Sequence, residues 1–443
     1  MLDLPLLLEQ LLVILAAAWC AGRVVRVMGQ PRVIGEMAAG IALGPSLFGA
    51  IAPQLSGSLF PASGLAPLAT ISQLGVLLFM FVVGLRLDLT ALRQRAQAAV
   101  LVSHASIVAP FLLGTVLAAW LYPALAGQNA TGEVVSLLPF ALFMGAAMSV
   151  TAFPVLARIL AERKLLGTRM GAVAIASAAV DDVTAWCMLA GVVAVARHGD
   201  GLRSFAVALL SVSLFAALLI VGARRVLHAF DASRLARRDR QMSAANYTAG
   251  DTTEVDVVVE SVGAEVIGIA ILFALACALV TEKIGVHAVF GAFLAGAIMP
   301  RESGLAHALA ERMEAVVSTV FLPVFFAFSG LRTEIGLLSS PALWGICAVV
   351  LTAAIVGKFG GATTAARMVG MSWRDAIGVG ILMNTRGLME LVVLNVGLEL
   401  GVISKTMFAI MVVMALVTTV MTSPLLALVL RGQREVQPVP APT

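Results

Sequence analysis

Asp181 and Asp182 stand side by side at the centre of GAVAIASAAVDDVTAWCMLAGVVAV, an apolar run long enough to cross a bilayer as one helix. A carboxylate at membrane depth costs about 3 kcal/mol, so two together are not casual packing. Intramembrane acids mark ion or proton paths, and that reading outweighs simple pairing with polar neighbours. Three further ionisable residues lie near mid-membrane: Lys358 in AAIVGKFGGATT, and Arg386 and Glu390 in ILMNTRGLMELVV. The chemistry such a set can do is to hold and release cations and protons.

Adjacent residues on a helix point about 100° apart, so the two aspartates cannot share one neighbour equally. A natural division gives Asp181 a cationic partner and turns Asp182 elsewhere. Lys358 is the only intramembrane lysine, and unpaired it would be expensive, so it needs an acid. Arg386 and Glu390, four apart on one helical face, can neutralise each other or Glu36. Glu390 reads as structural, and Arg386 as compensation for helix dipole ends. His104 could sense pH, but a packed neutral histidine is the stronger account.

These residues need elements to hold them. The chain is 60% hydrophobic and 12% charged over 443 residues, with mean hydropathy +1.01, so it is an all-α polytopic membrane protein. Thirteen apolar segments are predicted, near 4–25, 32–50, 66–85, 97–121, 137–160, 168–196, 203–225, 262–281, 285–299, 315–331, 341–366, 375–397 and 405–430. The first lacks a basic flank and cleavage site, and so reads as a membrane helix. The four cysteines lie in apolar runs with no CxxC spacing, which indicates neither disulfides nor a metal site. With the N-terminus outside and the C-terminus cytoplasmic, inner segments carry 22 Lys or Arg and outer segments five. The net charge of +4 is thus a topology signal, and no nucleic-acid partner is implied. Residues 226–261 read as a polar cytoplasmic loop, and 431–443 as a disordered tail.

Two stretches recur. VIGEMAAGIALG at 33–44 resembles VFGAFLAGAIMP at 289–300, and LFMFVVGLRLDL at 78–89 resembles VFFAFSGLRTEI at 324–335. The matches shift by seven crossings, an odd number, so the copies (about 32–196 and 285–430) must run oppositely across the membrane. That is an inverted-topology repeat, common in secondary transporters. The same shift pairs the fifth segment with the twelfth, and both are interrupted halfway. MSVTAFPVLARIL has Pro154 after a Ser/Thr cluster, and ILMNTRGLMELVV has Asn384, Thr385, Arg386 and Gly387. Matched breaks predict two discontinuous crossing helices whose freed carbonyls and half-helix ends form an ion site.

This combination resembles the monovalent cation:proton antiporter-2 family, within the wider sodium/proton exchanger fold. The carrying motifs are ASAAVDDVTAW, TAFPVLARIL, GKFGG and NTRGLMELVVLNVG, the last two also similar to the membrane part of plant cation/proton exchangers. The resemblance implies that Asp182 binds cation or proton and that Asp181 pairs with Lys358. It also implies a homodimer with an elevator-type core. On that footing the expected cargo is a monovalent cation, Na⁺ before K⁺, exchanged for H⁺, with no cofactor and no enzymatic activity. Na⁺ would sit at Asp182 and Asp181, with oxygens from Thr151, Ser149 and Ser177. Pro154, Asn384, Arg386 and Glu390 would support the crossing, and Lys358 would couple it. Loss of a proton from Lys358 would make exchange electrogenic. The expected location is a bacterial inner membrane, with lipid as the surrounding partner. The rival is an intramembrane aspartyl protease, but such enzymes carry their aspartates on separate helices and no GxGD motif occurs.

Overall fold

The computed structural model describes residues 3–30, 32–61, 64–86, 96–128, 132, 134–165, 168–198, 207, 210–211, 214–223, 225, 227, 263–284, 288–301 and 304–430. Among them there is no strand beyond isolated bridges, and the helices run in chain order. They are α1 (Leu4–Val27), α2 (Arg32–Leu43), α3 (Phe48–Ile51), α4 (Pro53–Leu59), α5 (Leu65–Arg86), α6 (Ala96–Leu125), α7 (Leu137–Ser149), α8 (Phe153–Glu162) and α9 (Arg169–His198). After a π-helical turn at Leu219–Ala223 come α10 (Ala264–Ile284), α11 (Ala288–Ala297), α12 (Leu305–Val316), α13 (Leu322–Leu331), α14 (Pro341–Met368), α15 (Trp373–Met383), α16 (Leu388–Glu399) and α17 (Lys405–Leu430). Nine helical stretches among the described residues are long and apolar enough to cross a membrane. The protein is a multi-pass integral membrane protein.

Helix starts follow the local chemistry. The Ser340 hydroxyl accepts the Leu343 N–H with Pro341 in the first turn, and Ser372 accepts the Asp375 N–H at 3.1 Å. The tenth segment is longer than its hydropathy suggests, because helix begins at Leu305 and not near 315. LAHALAERMEAV buries Leu305, Leu309 and Met313 on one face and carries its charges on the other. An averaging window reads such a pattern as loop. Part of the seventh segment (203–206, 208–209, 212–213 and 224), the polar loop 226–261 except Leu227, and the tail 431–443 lie outside the described residues.

The chain divides into two compact units, Met1–Leu68, Asp88–Gly201 and Phe326–Thr443 in one and Ala69–Leu87 and Leu202–Phe325 in the other. In the second unit, Phe81, Leu85, Ala274, Ala295 and Leu309 are buried together, and Arg86 pairs with Glu314. In the first unit, Val155, Leu156, Ile159, Ala174, Ala362, Val379 and Leu382 form a core shared by α8, α9, α14 and α15. Helix α14 lies hard against α6 because Gly357 and Gly361 present no side chain. A Cβ at Gly361 would stand 2.4 Å from the Ala105 carbonyl oxygen. This close approach brings Lys358 beside the serines of α6.

Both interrupted spans are present. α7 stops at Ser149 and α8 starts at Phe153, with Val150 extended between them. α15 stops at Met383 and α16 starts at Leu388 after Gly387, whose φ of +153° is rarely adopted by L side chains. Pro154 sits in the first turn of α8, where its missing N–H has no intrahelical partner to lose.

Candidate functional site

The two breaks meet. The Ala152 amide donates to the Thr385 carbonyl at 2.9 Å, and the Thr151 hydroxyl lies 3.1 Å from the Met383 carbonyl. The carbonyls left open at the end of α7 receive cations. The Arg386 guanidinium donates to Ala147 at 3.0 Å and to Met148, and Lys358 Nζ donates to Ser149. Positive charge at the carbonyl end of a half-helix offsets its dipole. Arg386 Nη1 also pairs with Glu390 at 2.8 Å, whereas Glu36 pairs with Arg32 at 3.2 Å. Thr419 clasps the Arg386 backbone, accepting its N–H at 3.2 Å and lying 2.6 Å from its carbonyl oxygen.

Asp181 is wholly buried and heavily supplied with donors. Lys358 Nζ reaches Oδ2 at 2.7 Å, Thr151 Oγ1 reaches Oδ2 at 2.6 Å and Ser103 Oγ reaches Oδ1 at 2.6 Å. Ser106 Oγ lies 3.3 Å from each carboxylate oxygen. Asp182 is its opposite. It is 2% exposed, and neither carboxylate oxygen has a hydrogen-bond partner among the described residues. A buried carboxylate left this way needs a cation or a proton.

Of the predicted hydroxyl ligands, Thr151 is the one bonded to an aspartate among the described residues. Ser149 Oγ is engaged with the Gly145 and Ile107 carbonyls, and Thr151 is engaged with Asp181. Ser177 Oγ and Asn384 Oδ1 are buried and, like the Asp182 carboxylate, have no hydrogen-bond partner among the described residues. Helices α9 and α15 run parallel here: Gly378 packs on Met170, and Thr151 bridges Asp181 to Met383. Asn384 therefore stands at the depth of the aspartate pair. His104 is exposed, with Nδ1 turned to the Val100 carbonyl at 2.9 Å, and takes no part in the packing expected of it. Ser103 and Ser106 were not singled out in the sequence. The signal for them was two serines three apart on one face of an apolar span.

The two carboxylates lie on α9 alone, which does not suit the paired aspartates of a protease. A match to the family described as "Sodium/hydrogen exchanger, transmembrane" covers residues 11–250 and 254–431. The chain belongs to that family. This exchanger-family chain is 42% identical over 423 residues to Na(+)/H(+) antiporter NhaS4 of Synechocystis, covering 95% of this chain and 96% of the relative. It is 38% identical to Cation/H(+) antiporter 17 of Arabidopsis thaliana and 34% identical to K(+)/H(+) antiporter 1 of Saccharomyces cerevisiae. Those alignments cover 95% and 91% of this chain, which spans 48% and 44% of the two relatives. The fold matches the structure of the sodium proton antiporter MjNhaP1 from Methanocaldococcus jannaschii with TM-score 0.63 at 14% identity, covering 96% of this chain and 99% of that one.

Proposed function

We propose that the protein is a secondary transporter, not an enzyme, which exchanges a monovalent cation for H⁺ across the membrane. The observation that carries this reading is the unpartnered Asp182 carboxylate beside a fully supplied Asp181. Proton and cation cannot both occupy Asp182, so binding one displaces the other. Na⁺ is the first cargo, in line with the relative named as a Na(+)/H(+) antiporter over nearly its whole length. Asp182, Ser177 and Asn384 offer it oxygens, while Asp181, Thr151, Ser149 and Lys358 hold the frame. The yeast relative named as a K(+)/H(+) antiporter supports K⁺ as the second reading.

The inverted repeat is supported by two glycine crossings, one in each unit. Gly40 approaches Phe326 and Gly330, and Gly84 approaches Phe293 and Gly296. In both, the first motif of one copy lies against the second motif of the other. The proposal extends to an elevator-type homodimer in a bacterial inner membrane, N-terminus outside, on the strength of family and loop charge.

Reconstitution in proteoliposomes tests the reading. Addition of Na⁺ should dissipate a preset ΔpH, with K⁺ and Li⁺ as comparisons. Absence of dissipation with all three ions ends it.

A further inference from the structure

Trp186 follows Asp182 by four residues on α9, so the two share one helical face with Cβ atoms about 5–6 Å apart. Long side chains on a helix lean toward its N-terminus, which carries the indole of Trp186 back over the turn of Asp182. Trp186 is 2% exposed, and its Nε1 has no hydrogen-bond partner among the described residues. A buried indole N–H ordinarily finds an acceptor, and leaving it unpaired has a cost that phenylalanine in its place would avoid. The Asp182 carboxylate is equally without a partner. A donor and an acceptor, both orphaned, thus stand one turn apart on one face without bonding each other. That spacing suits a single oxygen between them, with arms of about 2.8–2.9 Å. An indole N–H cannot ligate a cation, but it can hold an oxygen that does.

We propose that Trp186 is a specificity-determining residue of the cation site, whose N–H anchors one water that the cation keeps when it binds Asp182. The inference rests on the exchange reading, with Asp182 as the carboxylate that takes the cation. A water oxygen has two lone pairs. One accepts from Trp186 and the other faces the cation, while a hydrogen is left for the carboxylate. Nε1 and Asp182 are then satisfied together, as buried polar groups need to be. Smaller ions of the same charge hold water more tightly, so an anchored water favours Na⁺ over K⁺. Trp186 is thus a positioning residue, acting on the cation through the water.

Two measurements on the full chain test this. Trp186→Phe keeps an aromatic ring and removes the N–H. In proteoliposomes its half-saturating Na⁺ concentration should rise roughly fivefold, the size of one lost hydrogen bond, and that for K⁺ by less than about twofold. A merely structural tryptophan would shift both ions alike. Equal shifts, or none, would overturn the role. The second measurement depends neither on transport nor on the folding of Trp186→Phe. The other four tryptophans, Trp19, Trp120, Trp344 and Trp373, are exposed, so Trp186 supplies the buried part of the intrinsic emission. In detergent, Na⁺ should change that emission in the parent at a lower concentration than K⁺ does, with choline as the control for ionic strength. Asp182→Asn should abolish the change. No response to Na⁺, or one matched by K⁺, would overturn the role. If the parent exchanges no cation but its emission answers Na⁺ through Asp182, the exchange reading falls and the role of Trp186 stands.

Discussion

The amide of Ala152 donates to the carbonyl of Thr385 across 2.9 Å, tying the break in one span to the break in the other. Each residue belongs to a segment that cannot continue as helix, so each has a backbone group left over. The bond satisfies both in an interior where no water would. Around it, Arg386 and Lys358 take the carbonyls at the end of α7, and Asp181 takes Lys358. Asp182 is left over, with no hydrogen-bond partner among the described residues.

Asp182→Asn should abolish cation-driven proton flux, by at least about 100-fold, while the protein keeps its fold. The amide cannot exchange a proton for a cation, and the site loses no internal hydrogen bond because it had none. Fluorescent ΔpH assays on a variant with normal thermal stability check this. Robust exchange by that variant would remove the central claim.

Lys358→Gln removes the ammonium from a wholly buried pair and leaves Asp181 on its hydroxyl donors. The variant should either lose transport or exchange one ion for one proton without response to membrane potential. Solid-supported membrane electrophysiology on parent and variant distinguishes these outcomes. A parent with full ΔpH exchange but no transient current would make Lys358 purely structural.

Asn384→Ala should raise the half-saturating Na⁺ concentration roughly tenfold, equivalent to about 1.4 kcal/mol, with little change in maximal rate. The amide oxygen is buried without a partner at the depth of Asp182, which suits a ligand and is costly otherwise. Concentration series for Na⁺, K⁺ and Li⁺ give the answer. An unchanged series would return Asn384 to a purely supporting place in the break.

Gly387→Ala tests the second break itself. At φ +153° a side chain is strained, and its Cβ would press on Val155 Cγ2 at 3.2 Å. The cost is about 1–3 kcal/mol, read as a lower Tm and a lower yield of folded protein. A Tm equal to the parent's would show that the break tolerates another backbone path.

Much of this was legible before any coordinates. The positions of the spans and both breaks follow from hydropathy and from Pro, Gly, Ser and Thr in apolar runs, because those signals are local. Helix α12 was missed for the same reason: its buried stripe of Leu305, Leu309 and Met313 is diluted by charge in any average. Arg386 could have faced Glu390 or Glu36, and only the placement of α2 separates those pairs.

The sequence by itself determined that two adjacent acids lie at membrane depth, that one lysine shares that depth, and that two spans are broken where they must cross. The cost of burying charge and of leaving backbone groups unpaired in lipid is a property of residue type and run length. The pairing of Lys358 with Asp181 was already implied by the motifs, but only the tertiary structure decided that Ser103 and Ser106 join them, and that the Asp182 carboxylate, Ser177 Oγ and Asn384 Oδ1 have no hydrogen-bond partner among the described residues. A serine in an apolar helix can always bond back to its own helix, as Ser149 does to Gly145, so its type announces nothing. Whether it reaches outward depends on what the neighbouring helix places opposite. Here that is set by the glycines that let α14 close on α6.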